Sequence, residues 1–220
     1  MPYVTADELA AFVEIKTSNR HPELERAISS AQREVDRYCG WGANGFDQGA
    51  ASATVRVFEP SPKGVYPLEA PDRRHLLMLP IGSGIQSTSG LIVKTDTTDD
   101  GIFDLTWAAT DYELVPSNNQ WGGVDGFPFF EVRAVGNHAW PEPFGTARRQ
   151  RIQITAKWGW AAVPPEVKDA TILRAAQLHY RSRTAEGIQP LTGFRAGGRD
   201  RDWELLLDDY RHPGRRFGIA

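Results

Sequence analysis

The residue types that most often carry chemistry are sparse and scattered in this sequence. The five histidines are His21, His75, His138, His179 and His212. No two of them stand at the spacing of paired metal ligands. The single cysteine, Cys39, falls on the apolar side of a predicted helix, which favours a buried and unreactive thiol. These positions therefore predict neither a metal site nor a nucleophile.

Two short segments are superficially similar to ligand-binding loops. Residues 96–101 begin like a calcium loop, but Trp107 stands where the closing glutamate of such a loop is required. The segment Gly82-Ser83-Gly84 completes neither a dinucleotide fingerprint nor a nucleophile elbow, and we interpret it as a flexible connector. The sequence thus predicts no cofactor, and it predicts a protein that is not an enzyme.

Composition narrows the function classes further. The chain has 220 residues, 40% of them hydrophobic and 24% charged, as is typical of a globular protein. Its net charge of −3 disfavours a dedicated nucleic-acid binder. One cysteine excludes an intrachain disulfide and favours a reducing compartment. The first residues lack the apolar run of a secretory signal, and no apolar stretch is long enough to cross a bilayer, so we expect no membrane partner.

The two ends of the sequence predict helices. Thr5 and Glu8 form a capping box before a short helix over residues 6–14. A second helix of about 17 residues begins near Pro22, carries an apolar stripe and ends at Gly40. A third begins after Pro164-Pro165, and a short last helix over residues 202–210 brings Trp203, Leu206, Leu207 and Tyr210 to one side.

The middle of the sequence predicts strands. Residues 54–59 and 151–160 alternate in polarity, and 112–115 and 129–134 are shorter strands. Residues 91–96 and 102–107 flank Asp99-Asp100-Gly101, which predicts a hairpin with a type I′ turn. The fold class is therefore α+β: a small helical domain with an antiparallel β module inserted between its second and third helices. We place the helical domain at 1–42 together with 160–211, the β module at 43–159, and a C-terminal tail at 212–220.

Tryptophan and arginine indicate the core and the surface. Most of the seven tryptophans should be buried, with some acting as interface anchors. We expect Trp158 and Trp160 to share one strand face and to pack on the helix that carries Val167 and Leu178. The arginine-rich stretches 195–201 and 211–216 are interpreted as a solvated loop and a tail that pairs with acidic patches on a partner, in preference to DNA phosphates.

Three stretches resemble the head–tail connector, or adaptor, family of long-tailed bacteriophages, especially those of actinobacteria. The first is Tyr3-Val4-Thr5-Ala6-Asp7-Glu8-Leu9, and the second is Val35-Asp36-Arg37-Tyr38-Cys39-Gly40. The third is Ile154-Thr155-Ala156-Lys157-Trp158-Gly159-Trp160 followed by the helix start Val163-Pro164-Pro165-Glu166-Val167-Lys168-Asp169-Ala170-Thr171. Two departures from the pattern of the family, at Trp41-Gly42 and at residues 184–187, fall in predicted loops.

This resemblance implies a structural virion protein at the neck, assembled in the cytoplasm of a host bacterium. It would form a ring of about twelve copies beneath the portal protein, with a stopper or tail-completion protein on its other side. Double-stranded DNA would pass through the lumen without specific binding. The resemblance also implies that the C-terminal region reaches the portal, so we expect Arg211, Arg215, Arg216 and Phe217 to bind it.

Two other classes remain open. A tail terminator or stopper is a second kind of neck protein, although about a third of this chain predicts helix, whereas those proteins are commonly dominated by strands. A carbohydrate- or peptide-binding module would use its tryptophans as a platform, and it predicts several aromatic side chains exposed on one face.

Overall fold

The helices lie toward the two ends of the chain and the strands lie in its middle, as the sequence predicts. The computed structural model describes residues 2–15, 21–41, 45–46, 52–58, 78–98, 100–140, 151–183 and 202–213. The helices are α1 (Ala6–Phe12), α2 (His21–Cys39), α3 (Pro165–Arg183) and α4 (Asp202–Leu205), followed by a 3₁₀ turn, Asp208–Tyr210. The strands are β1 (Thr54–Phe58), β2 (Met78–Thr95), β3 (Leu105–Thr106), β4 (Tyr112–Val115), β5 (Gln120–Trp121), β6 (Val124–Asp125), β7 (Phe129–Ala134) and β8 (Ile152–Trp158). The α+β class is confirmed.

The chain divides into two compact units. The helical unit comprises Met1–Trp41, Gly45–Asp47 and Val163–Arg211, and the body of the β unit is Gln48–Ala162. This division lies close to the predicted boundaries at 42 and 160. The predicted loop residues 184–187 and the arginine-rich stretch 195–201 lie outside the described residues.

Local signals determine where the helices begin and end. The capping box is present: the Thr5 amide donates to Glu8 Oε2 at 2.7 Å, and the Glu8 amide donates to Thr5 Oγ1 at 3.2 Å. Helix α1 ends at Phe12, two residues before the predicted end, because Glu14 adopts a positive φ of 56°. Helix α2 ends before Gly40, whose φ of 76° is the left-handed conformation expected of a C-terminal glycine.

The apolar faces of α1, α2 and α3 meet in one core. Its fully buried members are Leu9, Ala10, Leu24, Ala31 and Ala175. The small side chains on α2 and α3 allow the two helices to approach closely, as the alanines of the third helix predict. No described helix is both long enough and apolar enough to cross a membrane.

The β unit is built on an antiparallel sheet with the order β1-β8-β2-β7-β4, and β3 also pairs with β2. Strand β8 alternates strictly, with Ile152, Ile154, Ala156 and Trp158 buried on one face. Burial on one face alone is typical of antiparallel sheets. A core of this unit therefore lies on this side of the sheet, where Trp107 and Trp140 also stack with ring centroids 4.3 Å apart. Strand β7 differs from β8, because its residues are buried on both faces.

The interpretation of Gly82-Ser83-Gly84 as a flexible connector is wrong. These residues lie inside β2, an 18-residue strand that pairs with β7 through its first half and with β8 through its second. The register shifts between Pro80 and Ile85, and Gly84 has a φ of 69°. The glycines thus provide an irregularity that allows one strand to serve two partners.

The predicted type I′ turn is also wrong, although the two strands do pair. The β2–β3 ladder contains only the pairs Lys94–Thr106 and Thr95–Leu105, so a nine-residue loop, 96–104, joins the strands. The Gly101 amide donates to Asp96 Oδ2 at 3.0 Å, and the Thr97 amide donates to Asp104 Oδ1 at 3.0 Å. Carboxylates accept the amide hydrogens that a tight turn would have used within the backbone ladder.

Candidate partner-binding site

The residues that could do chemistry are dispersed in the fold. The described part of the chain contains no group of three or more histidine, cysteine, aspartate or glutamate side chains that could hold a metal ion. Cys39 is fully buried, and burial raises the pKa of its thiol. The strongest candidate for a functional site is instead the C-terminal segment of the helical unit, which directly precedes the residues predicted to bind a partner, Arg211 and the 212–220 tail.

This segment, Asp202–Tyr210, is here called the strap. Three of its side chains, Trp203, Leu207 and Tyr210, are buried and anchor it to the helical unit. The spacing of four and then three residues puts them on one side of a helical path. The Trp203 ring contacts Tyr38 edge-to-face at 5.5 Å, and the Arg174 guanidinium lies 5.5 Å from the Trp203 ring centroid.

Hydrogen bonds fasten the strap to residues far away in sequence. The Tyr38 hydroxyl donates to Asp208 Oδ1 at 2.6 Å, and the Tyr210 hydroxyl donates to Glu166 Oε2 at 2.6 Å. The Trp41 indole donates to the Tyr210 carbonyl at 2.7 Å. Burial and the bond to Asp208 raise the pKa of Tyr38 to about 12, and the bond from Tyr210 lowers the pKa of Glu166.

The strap is not the single helix predicted for 202–210. It consists of α4, a turn at Leu206–Leu207, and the 3₁₀ turn. Leu206, expected on the buried side, is 38% exposed, and Leu205 is 67% exposed. The change from α to 3₁₀ pitch rotates the apolar stripe, so that only Leu207 of the three consecutive leucines faces the core.

Of the four residues predicted to bind a partner, the structure places only Arg211. Its guanidinium lies 5.2 Å from the Tyr38 ring centroid and 4.0 Å from Asp208 Oδ1, so it already packs against the strap. Arg215, Arg216 and Phe217 lie outside the described residues. Within the predicted tail, 212–220, His212 is half-buried and Pro213 is buried, so the described start of this segment is not free in solvent.

Trp158 and Trp160 do not continue one alternating strand as predicted. Strand β8 ends at Trp158, and Gly159 has a φ of 88°, so alternation does not extend to residue 160. The Trp158 indole donates to the Thr54 carbonyl at 2.9 Å and its ring contacts Phe58. Trp160 packs instead against Phe127, edge-to-face at 5.2 Å. Both rings are buried in the β unit.

The two helix positions predicted alongside these tryptophans lie in α3. Val167 is fully buried, and Leu178 is half-buried against the three-helix core. Both residues lie in the helical unit, and Leu178 packs against its core.

A second candidate surface is the outer face of the sheet, which the alternation over residues 151–160 predicts to meet solvent or a partner. The register aligns Val55, Thr155 and Ile92 across β1, β8 and β2. Val55 is 55% exposed, Val57 49% and Ile92 44%. The sequence alone shows the valines of Thr54–Phe58, but only the strand order shows that β1 is at the edge among the described strands.

A comparison with models of known protein families found no match, and a comparison with curated proteins found none. The geometry of the strap and of the sheet face therefore carries the functional argument together with the three similar stretches.

Proposed function

We propose that this chain is a structural subunit of a phage neck: a head–tail adaptor that forms a ring beneath the portal and continues the DNA channel toward the tail. The proposal gives it a positioning role in the virion and no catalytic one. Its partners would be further copies of itself, the portal protein, and a stopper or tail-completion protein.

The observation that carries the proposal is the convergence in the helical unit of the first two similar stretches and of the helical part of the third, whose strand lies in the β unit. The first and second stretches are joined by the Tyr3 hydroxyl, which donates to Asp36 Oδ1 at 2.7 Å. Tyr38 of the second stretch holds the strap through Asp208, and Glu166, in the helical part of the third stretch, holds it through Tyr210. Residues that are distant in the sequence thus build one folded module, which favours a shared structural origin over chance likeness.

The glycan- or peptide-binding alternative receives no support from the tryptophans. That class predicts an exposed aromatic platform. Six of the seven tryptophans are at most 8% exposed: Trp41, Trp107, Trp140, Trp158, Trp160 and Trp203. Their rings instead fill the cores of the two units.

The proposal is tested by mixing the purified protein with its portal complex and following co-sedimentation. We expect the free protein to be monomeric at micromolar concentration and to join the portal as a ring, because each contact between subunits is small on its own. A portal complex that binds none of the protein at packaging-like salt would contradict the proposal.

The tail is tested in the same assay with a chain that lacks residues 214–220 but keeps the buried Pro213. We expect an unchanged melting temperature and lost portal attachment, because this segment contains Arg215, Arg216 and Phe217, side chains that suit docking. A control with Arg215 and Arg216 changed to Lys keeps the charge. Unchanged attachment of the truncated chain would remove the assigned role of the tail.

A further inference from the structure

We infer that the outer face of the sheet and the strap are complementary surfaces through which one copy of this chain binds the next. This inference rests on the proposed ring, and it names the two surfaces that form the contact between neighbouring subunits. One surface lies on each unit of the chain, and both are exposed and apolar at their centres but opposite in charge.

The first surface, called the sheet patch, comprises Val55, Val57, Ile92, Lys94, Thr155 and Lys157. The register pairs Val57 with Gln153 and Gln153 with Lys94, parallel to the row formed by Val55, Thr155 and Ile92. Residues paired across antiparallel strands project to the same face. Lys157 shares this face because it is two residues from Thr155 in β8. The sheet patch is thus a β-branched apolar surface with lysines beside it.

The described edge strand of this patch, β1, does not itself carry the usual protection against association. Among the described strands, β1 pairs only with β8, through five consecutive pairs without a bulge. Its sequence, Thr-Val-Arg-Val-Phe, contains neither lysine nor proline. The one charged residue, Arg56, lies 4.5 Å from the Trp158 ring centroid and bonds Ser83, so it does not guard the valine face. Natural edge strands of this kind are normally blunted or covered.

The second surface is the strap. Leu205 and Leu206 are its exposed apolar side chains, at 67% and 38%. The strap contains four acidic residues, Asp202, Glu204, Asp208 and Asp209, of which Asp208 already bonds Tyr38 and lies 4.0 Å from Arg211. By contrast, the sheet patch contains two lysines, Lys94 and Lys157, and no aspartate or glutamate. Charge complementarity therefore indicates that the strap of one copy binds the sheet patch of a second copy.

A contact between two different surfaces of identical chains is heterologous, so each copy keeps one surface open for the next neighbour. Such contacts produce rings when the rotation between copies closes. A contact of the sheet patch with itself would bring lysines together, and a contact of the strap with itself would bring carboxylates together. Like charges disfavour both symmetric arrangements.

The first experiment is a charge exchange followed by sedimentation velocity on the full chain. At low salt we expect weak self-association between about 10 µM and about 1 mM, a range that covers transient contacts. Lys94→Glu with Lys157→Glu, or Asp202→Lys with Asp209→Lys, should each weaken association on the order of tenfold, and mixing the two variants should restore it. The matched control is Glu25→Lys with Arg26→Glu, two exposed positions on α2. Association that is insensitive to both reversals would overturn the inference.

The second experiment detects the contact even when sedimentation shows only monomer. Val57→Cys and Leu205→Cys chains are mixed and oxidised, with the native Cys39 fully buried. We expect a disulfide-linked dimer in this mixture, at least about fivefold above that of Val57→Cys mixed with the control Glu25→Cys, because only close sulfur atoms form the bond efficiently. Equal yields would overturn the inference whatever the sedimentation result. Portal co-sedimentation of the unmodified chain is read separately, so loss of this contact and loss of the proposed function are distinguishable.

Discussion

The helical unit and the β unit join distant segments of the chain by different means. In the helical unit, three tyrosine hydroxyls donate to carboxylates: Tyr3 to Asp36, Tyr38 to Asp208, and Tyr210 to Glu166. In the β unit, large apolar side chains pack against a sheet whose strands are already held by ladder hydrogen bonds. The first arrangement depends on single polar atoms, and the second depends on buried volume.

This difference determines how each unit should respond to a small change. A hydroxyl–carboxylate bond contributes about 1 kcal/mol when water can replace it, and more when removal leaves a buried group unpaired. A buried indole contributes through its apolar area and through the cavity that its removal leaves. We therefore expect truncation of a large buried side chain in the β unit to cause the greatest loss of stability. Removal of a single tyrosine hydroxyl should measure the contribution of each tyrosine–carboxylate hydrogen bond in the helical unit.

The largest expected effect is that of Trp158→Ala. The ring is 4% exposed, so its removal should lower the free energy of unfolding by ~3–5 kcal/mol, as large aromatic truncations in cores do. Denaturant unfolding measures this loss. Trp121→Ala, at a half-buried ring of the β5–β6 hairpin, serves as the comparison and should cost less. Equal costs at the two sites would contradict the assignment of Trp158 to the core.

The next effect is that of Tyr3→Phe. The Tyr3 hydroxyl donates to Asp36 and accepts from the buried Phe46 amide at 2.6 Å. Its removal leaves that amide without this acceptor, so we expect a loss of ~1–3 kcal/mol in chemical denaturation.

Gly45→Ala tests the same Tyr3–Asp36 hydrogen bond by introducing a methyl group beside it. Gly45 has a φ of 51°, and a Cβ there would collide with the Tyr3 hydroxyl and the Asp36 carboxylate. We expect the Gly45→Ala and Tyr3→Phe losses to overlap, so that the double variant loses less than their sum. Strict additivity would show that the two residues act independently.

A smaller effect is expected for Tyr210→Phe. Glu166 lies on the exposed side of α3, so water can solvate its carboxylate once the hydroxyl is gone. We expect a loss of about 1 kcal/mol, measured as a lower denaturation midpoint with an unchanged slope. A loss as large as that of Trp158→Ala would mean that the Tyr210 hydroxyl stabilises the strap by more than this one hydrogen bond.

The smallest effect is a pH dependence at Tyr38. Its pKa in the folded chain is raised to about 12, by burial first and by the bond to Asp208 second. The stabilisation is therefore complete below the ordinary pKa of about 10 and is lost as pH rises toward 12. The stability difference between the unmodified chain and Tyr38→Phe should shrink between pH 10 and pH 12. A constant difference over this range would contradict the bond.

Several local features follow from the sequence alone, because they depend on neighbouring residues. Thr5 and Glu8 predict the capping box, Gly40 predicts the end of α2, and Pro165 predicts the start of α3. Each is a backbone preference or a hydrogen bond that spans only a few residues. The α+β class follows from the change in apolar period between the ends and the middle of the chain.

The tertiary structure decided the features in which local preference competes with distant partners. The glycines at 82–84 favour a loop locally, yet pairing with β7 and β8 places them inside one strand. The Asp-Gly pair favours a tight turn, yet Asp96 and Asp104 capture the amides and widen it. Which valines lie at a free edge, and which leucines of the strap face outward, depends on strand order and helix pitch, and these are set by contacts between residues far apart in the chain.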